Sequence, residues 1–73
     1  MNHKQMKAIR IAAGFSQTWV ARKIGVRQSQ LSYFERYGVP LPAKAAAKLR
    51  RLLKAHESKL AELVAGQDQE PDA

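Results

Sequence analysis

Apolar residues return along this chain at intervals of three and four, the period of helices that turn one face to a core. Met6, Ile9 and Ala13 share such a face and Gly14 follows as a left-handed stop, so a first helix is predicted over about 3–13. Ser16 suits the N-cap of a second helix over 17–24, with Val20, Ala21 and Ile24 as its buried stripe and Gly25 at its end. A third runs from Gln28 to about Tyr37, with Leu31 and Phe34 on one side. Gly38-Val39-Pro40-Leu41-Pro42 reads as a turn, and Pro42 suits the first position of a further helix. From Ala43 to Ala65 there is no Gly or Pro, and strong helix formers dominate. Ala46, Leu49, Leu53, His56, Leu60 and Leu63 are spaced 3, 4, 3, 4, 3, a heptad seam that Leu52 and Val64 widen. This stretch is either one helix about 34 Å long or two helices broken near His56. Gly66 ends it, and residues 67–73 read as a disordered acidic tail. The fold class is therefore all-α, a single domain over residues 1–66.

A chain of 73 residues buries only a small core, which wants a supplement. There is no cysteine, so disulfides and thiolate metal sites are excluded. His3 and His56 have no companions at ligand spacing, and neither a metal nor a cofactor is expected. Oligomerisation is the common supplement that remains. The net charge of +7 hides a split. Through His56, twelve Lys and Arg stand against Glu35 alone; from Glu57 onward, Lys59 stands against five acids. A basic body with an acidic end points to a polyanion, either nucleic acid or an anionic membrane. No run approaches the ~18 apolar residues of a spanning helix, and no signal-peptide core follows Met1. The chain is expected to be soluble and cytoplasmic, nucleoid-associated when on DNA, with no membrane partner. No paired acids, nucleophile–base set or phosphate-cradling glycine loop is present, which argues against an enzyme.

A DNA-binding helix-turn-helix needs its second helix held steeply across the first. Residues 17–36 carry the parts. Val20 and Ile24 point inward from one helix, Leu31 and Phe34 from the next, and Val26 plugs the turn. Ala21 is the small residue at the crossing, and Gly25 supplies the turn conformation. Residues 6–38 resemble the lambda-repressor/Cro-type (XRE-like) helix-turn-helix family. The resemblance is carried by Gly14-Phe15-Ser16-Gln17, Val20-Ala21, Ile24-Gly25-Val26 and Leu31-Ser32 with Glu35.

The resemblance implies a compact lambda-repressor-like domain of four or five helices with a long C-terminal helix, dimeric on double-stranded DNA. Its third helix would read bases through Gln28, Ser29 and Tyr33, with Arg27 and Ser32 beside them. Gln28 suits a bidentate contact to adenine, and Arg27 suits either a guanine or a phosphate. Gln17, with Ser16, would hold a phosphate and brace the reading helix; the amides and dipole of a helix start suit an anion in any family. Gln30, Arg36, Tyr37 and Lys44 are further candidates for backbone contact. Arg10 and Glu35 fall where similar phage repressors place a partly buried structural ion pair. The chain departs from the family twice. Glu35-Arg36-Tyr37-Gly38 has one residue more than the usual Glu-x-Gly, so the third helix is expected to run longer. Trp19 stands where a polar residue is usual, as a partner or phosphate contact or folded back over Lys23.

Two half-sites about 34–36 Å apart would engage a dimer. Leu53, Leu60, Leu63 and Val64 are the expected dimerisation residues, while Leu49, Leu52 and Leu53 in part close the subunit's own core. The function these features predict is repression from a short palindromic operator, as on a phage or mobile element. Two alternatives stand beside it. One is an antitoxin that binds a toxin or another co-regulator and represses its own operon, with Trp19 and the acidic tail facing the partner. The other is a basic amphipathic helix over 44–63 acting on membranes or RNA.

Overall fold

The structure is a computed structural model that describes residues 2–59, 61 and 62. Four helices follow in chain order: α1 (His3–Ala12), α2 (Gln17–Ile24), α3 (Gln28–Tyr37) and α4 (Ala43–Lys54). Residues 57–59 and 61–62 are helical as well, and no strand occurs among the described residues.

Each helix begins where local chemistry starts it. Asn2 Oδ1 accepts from the Gln5 amide at 2.8 Å, and Gln5 Oε1 accepts from the Asn2 amide at 3.0 Å. This reciprocal box satisfies two amides that the first turn of α1 leaves over. At α2 the Ser16 hydroxyl accepts from the Trp19 amide at 3.1 Å. At α3 the Gln30 side chain accepts from the Arg27 amide at 3.0 Å. The ends of α2 and α3 depend on glycine: Gly25 has φ +80° and Gly38 has φ +73°, left-handed values that side chains with a Cβ rarely adopt. Gly38 is needed a second time, because a Cβ there would sit 3.0 Å from the His3 ring.

The core joins Met6 and Ile9 of α1, Val20, Ala21 and Ile24 of α2, Leu31 of α3, Leu41 of the turn, and Ala45, Leu49 and Leu53 of α4. α3 packs on α1 and α2, and α4 closes the other side of the same two helices. α3 is thus gripped from one side only.

The long C-terminal stretch divides, the second of the two forms that its pattern left open. α4 ends at Lys54, and the His56 amide bonds to the Leu53 carbonyl at 2.9 Å in a tight turn. No glycine or proline causes this break. It falls where α4 runs out of core: Leu53 is its last buried residue, and the His56 ring then meets the edge of the Phe15 ring at 4.8 Å. Leu53 is expected from the sequence both on the dimer seam and in part in the subunit's own core. At 1% exposure it belongs to the subunit's own core, so its side chain is spent there and does not stand on a free seam.

Because Leu31 is fully buried, Leu31→Ala should cost about 2–5 kcal/mol, read as a lowered urea midpoint. Gly25→Ala meets open space, so only backbone strain opposes it and the loss should be about 1–2 kcal/mol.

Candidate nucleic-acid interface

Of the ten residues of α3, only Leu31 and Glu35 are buried. Gln28, Ser29, Gln30, Tyr33, Arg36 and Tyr37 are exposed, and Ser32 and Phe34 are intermediate. A helix this polar earns its place through its two inward anchors and presents the rest to whatever comes.

The Glu35 anchor starts a chain of hydrogen bonds that ends on the outer face. Arg10 Nε donates to Glu35 Oε2 at 2.7 Å, and Arg10 Nη2 donates to Oε1 at 3.1 Å. Such a fork fixes both planes, which a lysine could not do. The third guanidinium nitrogen, Nη1, donates to the Phe15 carbonyl at 2.7 Å, tying the turn between α1 and α2 to the same charge. Gln17 Nε2 donates to Glu35 Oε1 at 2.8 Å, and Gln28 Nε2 donates to Gln17 Oε1 at 2.7 Å.

Directionality follows from the first link. A carboxylate only accepts, so Gln17 must turn its NH2 inward and its carbonyl outward. Gln28 must then turn its own NH2 to that carbonyl. One N–H of Gln17, one N–H of Gln28 and the Gln28 carbonyl remain unspent. On Gln28 that remainder is a donor beside an acceptor, the pattern that adenine N7 and N6 complement. His3 holds the far side, its Nδ1 3.0 Å from the Glu35 carbonyl. A carbonyl accepts, so Nδ1 carries the proton.

Charge on the surface is one-sided. Up to residue 56 the only acid is Glu35, which is buried and paired, so every exposed ionised side chain there is cationic. None of the four helices has an acid in its first turn. Their positive ends are left without the side-chain partner that usually offsets them.

The remaining sequence candidates fall as follows. Gln28, Ser29, Tyr33 and Arg27 lie together on or beside the start of α3, with Ser32 partly covered behind them. Ser16 and Gln17 adjoin them through the Gln17–Gln28 bond. Tyr33 and Tyr37 stack one turn apart, centroids 6.3 Å, on the outer flank of α3. Lys44 is exposed on α4, a separate element. Leu60, Leu63, Val64 and the tail lie outside the described residues. Trp19 is 40% exposed, with Lys23 Nζ 5.3 Å over its ring and the Phe15 ring 4.6 Å from it. Sequence reasoning missed His3, the Phe15 carbonyl and the Asn2–Gln5 box. Only the last left a signal, an Asn followed three residues on by a Gln.

A family model described as helix-turn-helix matches residues 6–63. No curated protein and no solved structure gives a significant match.

Glu35→Ala should destabilise the fold by about 3–5 kcal/mol, because the Arg10 charge stays buried without its partner. The pair of changes Arg10→Met with Glu35→Leu should recover most of that loss in urea melts. It should still free the Gln17 and Gln28 side-chain amides, seen by NMR as faster exchange with water.

Proposed function

The chain belongs to the helix-turn-helix family of the lambda-repressor/Cro type, a family of DNA-binding regulators, and from that membership we propose a dimeric repressor that reads a short palindromic operator through the major groove. The observation that carries this is the orientation of Gln28, set through Gln17 by the buried Glu35. An amide held this way has its entropy cost settled before DNA arrives, so the base contact keeps more of its energy.

The roles divide by position. Gln28, Ser29 and Tyr33 read base edges, with Arg27 and Ser32 at the margin. Gln17 offers its unspent N–H, together with the opening amides of α2, to a phosphate. Gln30, Arg36, Tyr37 and Lys44 meet the backbone on either side, where they fix register without carrying sequence. The helix starts, none offset by an acid, and the cationic surface up to residue 56 favour the same polyanion.

A domain this small makes few contacts, and specific affinity asks for two copies on two half-sites. Two-fold symmetry in the protein then predicts two-fold symmetry in the operator. Occupation of such a site blocks transcription by steric exclusion.

Selection of duplexes from a random pool should yield a palindrome with half-site centres about one helical turn apart. Gln28→Ala should lose about 1–3 kcal/mol of discrimination at one base pair of each half-site. Lys44→Ala should weaken all duplexes alike and lower the salt slope. Equal losses from Gln28→Ala on selected and random DNA would defeat the assignment.

A further inference from the structure

By the helical period, Tyr33 falls directly opposite the midpoint of Leu31 and Glu35, the two buried residues of α3. It therefore stands at the crest of the face that α3 turns outward. Ser29 and Tyr37 flank it in the same row, four residues to either side, and all three are exposed. Tyr33 is 55% exposed and Tyr37 66%. Their ring centroids lie 6.3 Å apart at 27°, an offset stack within the range that aromatic pairs favour. Tyr37 is also where the helix exceeds the usual spacing. Glu-x-Gly from Glu35 would put the glycine stop at position 37, and no ring there could stack on Tyr33.

We propose that Tyr37 is a positioning residue for base reading: its ring holds the Tyr33 ring in place, and Tyr33 packs on the 5-methyl group of a thymine. The inference rests on the DNA-reading role given above and names the chemistry that Tyr33 recognises. Among the donors and acceptors of the major groove, the thymine methyl is the one apolar group. Gln28 and Ser29 have an amide and a hydroxyl for the polar groups, while Tyr33 brings an aromatic face to the crest of the helix. A tyrosine has only two side-chain torsions, so a neighbour stacked on one face leaves it little freedom to lose on binding. Tyr37 supplies that neighbour, and its hydroxyl serves the backbone contact proposed above. Neither side chain is a cation, so the pair adds selectivity without adding to the attraction that any duplex feels. Tyr33 stands five residues after Gln28. That is a rise of about 7.5 Å, which places the thymine about two base pairs beyond the pair that Gln28 reads.

The test uses the intact protein and the duplex recovered by selection, with each thymine replaced in turn by uracil. Uracil keeps every hydrogen-bonding group and lacks only the methyl. One thymine in each half-site, about two base pairs from the pair assigned to Gln28, should lose about fourfold in affinity, the ~0.8 kcal/mol of one buried carbon. Tyr33→Ala and Tyr37→Ala should bind the thymine and uracil duplexes alike and keep the preference set by Gln28. Tyr37→Phe retains the stack without the hydroxyl and should retain the discrimination. Both residues are exposed, so helicity in circular dichroism should not change. A selected site with no thymine at that place, or indifference of the wild-type protein to uracil there, overturns the methyl contact. If Gln28→Ala still relaxes base preference, the DNA-reading role stands. Discrimination that survives Tyr37→Ala leaves Tyr37 a backbone contact alone and overturns its positioning role. Discrimination lost in Tyr37→Phe as well assigns the effect to the hydroxyl and overturns the stack. A random pool that yields no preferred duplex overturns both readings.

Discussion

A single buried carboxylate sets the terms for the rest of this molecule. Glu35 accepts three hydrogen bonds, two from Arg10 and one from Gln17. Taking two charges out of water costs several kcal/mol per ion, and their attraction repays it only when the geometry is good and the remaining sites are filled. Here they are filled by Gln17 and by the Phe15 carbonyl. The return is orientation more than stability. Because the carboxylate cannot donate, each amide after it has one permitted direction, and that polarity is passed to a side chain on the protein's outer face.

Core and surface then serve different ends. The apolar contacts hold α3 against α1 and α2 while α4 packs behind them, which leaves the outer side of α3 uncovered. Every exposed charge before residue 57 is positive, and no helix start is offset by an acid. Each such omission forgoes about 0.3–1 kcal/mol of dipole stabilisation. A small domain sacrifices that margin with difficulty, and the omissions share one beneficiary, a polyanion at the surface.

Much of this was legible before any coordinates. The bounds of α2 and α3 follow from Ser16, Gly25 and Gly38 because a hydroxyl cap and a left-handed glycine are local devices. With the one extra residue between Glu35 and Gly38, α3 runs on to Tyr37. Gln17 and Gln28 could be named from the family pattern. That their amides join, and in which sense, could not, since eleven positions separate them in sequence. The heptad seam left its use open for a related reason. One pattern of 3 and 4 describes both a core stripe and a dimer stripe, and Leu53 satisfies either until the subunit's own packing takes it.

The sequence alone determined the starts of the four helices, the glycine stops of α2 and α3, the charge split and the family pattern, because these depend on neighbours within a few residues or on simple counts. The tertiary structure decided where α4 breaks, since the end of the core and the Phe15 ring do it and no local residue does. It decided as well that His3 reaches the Glu35 carbonyl and that Arg10 also holds the Phe15 carbonyl. Hydrogen bonds between distant positions depend on how helices cross, and crossing is set by the packing of whole faces, which no local stretch of sequence contains.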